Sequence, residues 1–128
     1  MNKSQEQVRK FVADRDWHTQ LPDHVAKSIS IEAAELLELF QWASPSVAEI
    51  KNDPEKLADI KAELADVFVY ALQMSLLFNL DVDEIIKDKL AFADKKYPAK
   101  LMKQRSAGDG LATKKYLEIK KSYRKNGK

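Results

Sequence analysis

The chain has 128 residues, 45% of them hydrophobic and 33% charged, with only 3 Gly, 4 Pro and no Cys. That is enough for one helix-rich domain with its own core, and it excludes thiol chemistry, disulfide staples and Cys-ligated zinc. The formal net charge of +2 hides an asymmetry: residues 1–99 carry 12 Lys/Arg against 18 Asp/Glu, whereas residues 100–128 carry 10 against 2.

In chain order, Ser4 is expected to cap a first helix over about Gln5 to Trp17, with Val8, Phe11 and Val12 on its apolar side. HTQLP breaks it. Pro22 and Asp23 suit the first turn of a second helix that runs to about Trp42. After ASPSV, a third helix begins either near Ser46 or at the Asp53–Pro54 cap, and continues to about Phe78. Asn79 stops it. Asp81 caps a fourth helix that ends before Pro98. QRSAGDGLAT, residues 104–113, reads as a loop, and KKYLEIKKSYRK as a short terminal helix that needs docking to be stable. With no convincing strand, internal repeat or long heptad pattern, the expected fold is an all-α four-helix bundle over residues 1–103 with a basic C-terminal extension over 104–128. The opening MNKSQEQVRK leads into no apolar stretch, and the best apolar run, Val67 to Phe78, is short for a membrane span. A cytoplasmic protein without a membrane partner is therefore expected.

The segment ISIEAAELLELFQW, residues 29–42, looks built for burial yet carries Glu32, Glu35 and Glu38. On a helix, residues three apart are neighbours, so Glu32 and Glu35 lie side by side while Glu38 drifts roughly 60° further round. KAELADVFVY repeats the device with Glu63 and Asp66, and Tyr70 extends that stripe. Apolar residues flank both pairs, and no Lys or Arg lies within residues 28–42 or 62–80. Unpaired buried carboxylates cost several kcal/mol each, so a cation from outside is the economical answer. An all-carboxylate set suits a hard ion, Mg²⁺ or Mn²⁺, which commonly shares its shell with substrate phosphates. A single E-x-x-E is usually a solvated helix face; two such pairs on consecutive apolar helices reverse that preference. A carboxylate-bridged di-iron site would use E-x-x-H pairs, and neither His18 nor His24 lies three residues after a Glu.

Trp17, Trp42 and Tyr70 are candidates to wall a base pocket, although such aromatics taken singly are more often core. Lys89, Lys95, Lys96 and Tyr97 cluster near the end of the fourth helix. They fit either a solvated last turn or a phosphate contact. The basic tail fits a solvated extension, a polyanion contact or a flap over an anionic ligand.

RDW at 15–17, IEAAELLELFQW at 31–42, ELADVFVY at 63–70 and KYP at 96–98, in that order, resemble the MazG-like all-α nucleoside triphosphate pyrophosphohydrolases, most of all the dCTP pyrophosphatase-like branch. The resemblance covers about residues 5–100. It implies Mg²⁺-dependent hydrolysis of a (deoxy)nucleoside triphosphate to the monophosphate and pyrophosphate, possible use of Mn²⁺, and assembly as a homodimer or homotetramer. It further implies that Glu32, Glu35, Glu63 and Asp66 bind metal. Glu35 or Glu38 would orient or deprotonate the water, a choice the sequence leaves open. Trp17, Trp42 and Tyr70 would line the nucleotide pocket, and Lys89, Lys96 and Tyr97 would lie toward the phosphates. The chain departs from the family pattern in two places. HTQLP puts Gln20 before Pro22 where a His-x-Pro is usual, and Ala93, beside Asp94, stands where an Asn is usual. A nucleic-acid partner is not expected. The alternative function is a non-catalytic helical module that binds a metal–nucleotide or a polyanion.

Overall fold

The computed structural model describes residues 1–103 and 110–126, with the backbone alone for residues 110–113. The predicted fold class holds: the described residues contain helices and no strand. They form seven α-helices and one 3₁₀ turn, more than the four expected, in two compact units, Met1–Asp83 and Glu84–Lys128.

In the first unit, α1 spans Lys3–Ala13. Its cap is Asn2, not Ser4: the Asn2 side chain accepts from the Gln5 backbone N–H and the Gln5 side chain reaches back, a complete capping box that outcompetes a lone serine. The helix stops at Ala13, four residues before the expected Trp17. Asp16 takes a left-handed backbone (φ 54°), which a short polar side chain tolerates, and the chain re-enters as a 3₁₀ turn at Trp17–Thr19. The buried stripe of α1 is Gln5, Val8 and Val12.

Helix α2 runs Pro22–Glu38. It also ends short of its expected limit at Trp42, because the chain tightens into i→i+3 turns at Phe40 and Gln41. Both proposed starts of the third helix are used. Ser46 caps a five-residue α3, Val47–Lys51, with a capping box to Glu49, and Asp53 with Pro54 starts the long α4, Pro54–Leu77. Helix α4 closes in a Schellman motif: Leu80 N–H donates to the Ser75 carbonyl and Asn79 N–H to that of Leu76, with Asn79 left-handed (φ 52°). Helix α2 lies along α4, and α1 packs on α4 beside it. That arrangement turns the acids of α2 toward those of α4.

A buried polar latch fixes α1. The Gln5 side chain is fully buried. Its Nε2 donates to Ser75 Oγ (3.0 Å) and the Leu80 carbonyl (2.9 Å). Its Oε1 accepts from the backbone N–H of Val82 (3.2 Å) and Asn2 (3.4 Å). Every polar atom of the amide has a partner, which is the condition for burying one at little cost.

The second unit contains most of α5 (Val82–Lys96), the short α6 (Ala99–Lys103) and α7 (Gly110–Lys125). The predicted Asp81 cap is present, its Oδ1 accepting from the Asp83 backbone N–H. Of the expected loop, residues 104–109 lie outside the described residues, and residues 110–113 belong to α7 rather than to a loop. The terminal segment is helical because it docks. Tyr116 stacks on Tyr97 with centroids 4.9 Å apart, and Tyr123 meets Phe92 edge-on at 5.6 Å. Such aromatic pairs are each worth about 0.5–1.5 kcal/mol beyond their burial. Lys96 Nζ lies 4.8 Å from the Tyr123 ring centroid and 5.1 Å from that of Tyr97.

Candidate metal and nucleotide site

Three-residue spacing on α2 and α4, plus the packing of one helix along the other, brings the acids together. Glu32, Glu63 and Asp66 each offer a carboxylate oxygen, and these oxygens lie within 4.8 Å of one another. Glu32 and Glu63 are half-buried; Asp66 is more open. Oε2 of Glu63 is buried with no hydrogen-bond partner among the described residues. Burial first, then the neighbouring Glu35 carboxylate, holds both Glu32 and Glu63 above the ordinary carboxylate range, with Asp66 adding to each. Glu35 is thus the acid that acts most strongly on both, although it is not one of the three that converge. Glu38, the last residue of α2, is exposed and outside the group.

No Lys or Arg of the described residues forms an ion pair with these acids. The nearby Lys56 ammonium instead donates to the Leu39 carbonyl at the end of α2 and lies 5.5 Å from the centre of the Phe40 ring. A set of crowded carboxylates, one with a buried oxygen lacking a donor, fits a hard divalent cation. It also fits the charge logic of such a site, since the ion reverses the repulsion that raises the pKa values.

Beside the acids lies an apolar cavity of about 630 Å³ between α1 and α4. Trp17, Phe11, Phe68 and Tyr70 line it, and Asp66 opens onto it. Trp17 is held there by an edge-on contact with Phe11 (5.9 Å), and the Arg15 guanidinium covers Phe11 at 3.8 Å. A smaller space of about 180 Å³ shares Phe11, Trp17, Val69 and Tyr70 and adds Gln20 and Gln73.

Of the predicted pocket residues, the structure therefore brings Trp17 and Tyr70 to one cavity beside the acids. Trp42 is elsewhere: it follows the shortened α2 and is 88% exposed. Lys89, Lys96 and Tyr97 belong to the second unit. There the Lys89 ammonium lies 5.3 Å from the Phe92 ring centroid, and Lys96 is engaged by two tyrosines. Phe11, expected on the apolar side of α1 with Val8 and Val12, is 45% exposed and lines the cavity, a role the sequence did not assign it. Sequence reasoning passed over Gln73, although the stripe 63, 66, 70 continues to 73 at helical spacing.

An all-helical unit with acids facing each other across two long helices, next to an aromatic cavity, defines a class before any comparison. The chain belongs to the MazG-like family, whose model matches residues 27–108. It is 28% identical over 112 residues to dCTP pyrophosphatase 1 of Homo sapiens, covering 86% of this chain and 62% of that one. It is 29% identical over 94 residues to dCTP pyrophosphatase 1 of Mus musculus, covering 72% and 55%. The chain thus spans 55–62% of the length of these relatives. It also resembles the crystal structure of a pyrophosphatase from Archaeoglobus fulgidus, with a TM-score of 0.62 and 36% identity, covering 73% of this chain and 87% of that chain.

Proposed function

We propose that this protein hydrolyses (deoxy)nucleoside triphosphates to the monophosphate and pyrophosphate, with Mg²⁺ or Mn²⁺ and a preference for dCTP-like substrates. The observation that carries the proposal is the convergence of Glu32, Glu63 and Asp66 around a buried Glu63 oxygen without a partner. The names of the relatives supply the reaction class.

Glu32, Glu63 and Asp66 would hold the cation, which when bound offsets the charge of the triphosphate and of the departing pyrophosphate. Glu35, exposed at the edge of this group, is better placed than Glu38 to orient the water and take its proton. The water oxygen attacks the α-phosphorus, the bond from that phosphorus to the bridging oxygen breaks, and pyrophosphate leaves. Phe11, Trp17 and Tyr70 offer faces on which a base stacks, and they exclude water from it. Lys89 and Tyr97 keep the phosphate assignment that the resemblance implies. Lys96, occupied by two rings, fits an anchor of α7 better than a phosphate contact.

Self-association is part of the proposal. Trp42 (88% exposed), Leu37 (66%), Phe68 (58%) and Ile31 (57%) leave the first unit with more uncovered large apolar side chains than a lone subunit of this size is expected to carry. A second copy of the chain, in a dimer or a pair of dimers, would cover them.

The test is to incubate the full chain with Mg²⁺ and each of several NTPs and dNTPs, dCTP first, and to resolve the products by ³¹P NMR. Monophosphate plus pyrophosphate, abolished by EDTA, is the expected result. Diphosphate plus orthophosphate would mean cleavage at the wrong bond. Binding of Mg²⁺-nucleotide without turnover would favour the non-catalytic module, for which Ala93 in place of an asparagine, Gln20 in the altered HTQLP turn and the basic tail are the signs.

A further inference from the structure

Gln73 is a polar side chain in an apolar place. It is only 4% exposed, it lies at the aromatic end of α4 among Phe11, Trp17, Val69 and Tyr70, and burying an amide there is costly unless its polar atoms are used. Its Nε2 donates to Gln20 Oε1 at 3.0 Å. Among the described residues this is the only hydrogen bond that either side-chain amide makes. The pair therefore keeps a carbonyl oxygen and an N–H on Gln73, and two N–H groups on Gln20, without protein partners. The contrast with Gln5, a fully buried glutamine with all its polar atoms satisfied, shows that this fold can fully satisfy an amide it seals in protein.

The position of the pair gives it a use. Glu63, Asp66, Tyr70 and Gln73 follow at steps of three, four and three along α4, one stripe of the helix. Asp66 faces the acidic cluster and Tyr70 lines both cavities. Gln73 comes about 10 Å further along the axis than Asp66, a spacing that leaves room between them for a sugar and the stacked body of a base.

We propose that Gln73, held by Gln20, reads the hydrogen-bonding edge of the substrate's base and sets base selectivity. This deepens the nucleotide-hydrolase reading and rests on it for the identity of the ligand. Aromatic walls accept any π-face and select little. An edge reader inside a hydrocarbon pocket selects strongly, because a base with the wrong edge leaves buried polar atoms unpaired. The pair carries both donors and an acceptor, so its complement is a base edge that places a donor beside an acceptor.

The alternative is that the Gln73–Gln20 bond only pins the 3₁₀ turn that carries Trp17. The two roles separate in one binding experiment that needs no turnover. The full chain is titrated calorimetrically, with Mg²⁺, against the deoxynucleoside monophosphates of cytosine, thymine, adenine and guanine and against deoxyribose 5-phosphate. In the wild type the four nucleotides should span at least about tenfold in affinity. In Gln73→Met, which keeps the volume, the span should shrink to about threefold or less while deoxyribose 5-phosphate binding is unchanged. Gln20→Glu keeps the acceptor for Gln73 and hence the turn, but replaces the outward donors with an acceptor. It should reorder the four bases against bases that present an acceptor there. A uniform loss for all four nucleotides in Gln73→Met, an unchanged ranking in Gln20→Glu, or no span in the wild type would each overturn the proposal. A clear span without pyrophosphate release would sink the enzymatic reading and leave base reading standing. Pyrophosphate release without a span would do the reverse.

Discussion

Two buried polar sites on α4 lie about three turns apart and follow opposite rules. At the end of the helix, Gln5 is fully buried and every polar atom of its side chain is paired, with Ser75, Leu80, Val82 and Asn2. In the middle, Glu63 buries an oxygen with no partner and shares its space with Glu32 and Asp66. The first site is complete within the chain, so its purpose is to hold α1 on α4. The second is incomplete within the chain, and a protein retains an uncompensated carboxylate group only where something else compensates it. A paired polar cluster reports structure; an unpaired one reports a ligand.

The strongest way to break this contrast is at the acids. Asp66→Asn and Glu35→Gln should each lower turnover at least ~100-fold, the scale of losing a metal ligand or a base, with circular dichroism unchanged. Near wild-type rates in both would remove the site assignment. At the latch the effect should be on folding alone. Gln5→Met takes the Gln5 partner from the Leu80 carbonyl and from the Val82 and Asn2 N–H groups, while the Ser75 hydroxyl still donates to the Leu72 carbonyl, and should cost about 2–4 kcal/mol in urea unfolding while Mg²⁺ affinity stays unchanged. A neutral result would show the latch to be dispensable.

The same contrast has a sign in pH. Glu32 and Glu63 have carboxyl groups raised above their ordinary value of 4.5. The folded state therefore holds more protons than the unfolded one between 4.5 and the raised values. In EDTA, this contribution to stability is fully present at lower pH and is lost as pH rises through that window, the reverse of a salt-bridged acid. Thermal scans in EDTA should show it, Mg²⁺ should raise the Tm most at the upper end, and Glu63→Gln should flatten the profile. A Tm that responds to neither pH nor Mg²⁺ would mean solvated acids. The smallest expected effect lies in the second unit. Tyr116→Ala removes the stack on Tyr97 and should loosen α7 by about 0.5–1.5 kcal/mol, read as faster amide exchange in α7.

The reach of the sequence is best judged on particular residues. Punctuation located the helices because caps are local: Asp53–Pro54, Ser46, Asn79 and Asp81 act where their sequence neighbours predict. It failed where two caps competed, as Asn2 did with Ser4, and where a helix unwound before its apolar pattern ended, as α2 did after Glu38. The acids were legible because three-residue spacing in an apolar setting is a one-dimensional signal. Phe11 and Gln73 were not, because a residue on a buried helix face looks the same whether it meets another side chain or an empty space.

By itself, then, the sequence determined that the fold is all-helical, that Glu32 pairs with Glu35 and Glu63 with Asp66, and that no Lys or Arg lies within residues 28–42 or 62–80. Helix periodicity and capping are short-range, and they need no knowledge of the packing. Only the tertiary structure decided that α2 lies along α4, so that Glu32 meets Glu63 and Asp66 with Glu35 beside them, while Glu38 stays outside. It also decided that α1 stands off enough to leave an aromatic cavity, and that Trp17 reaches it while Trp42 does not. Those outcomes depend on how helices pack and where they end, and side-chain volume along the whole contact sets them rather than any local run of residues.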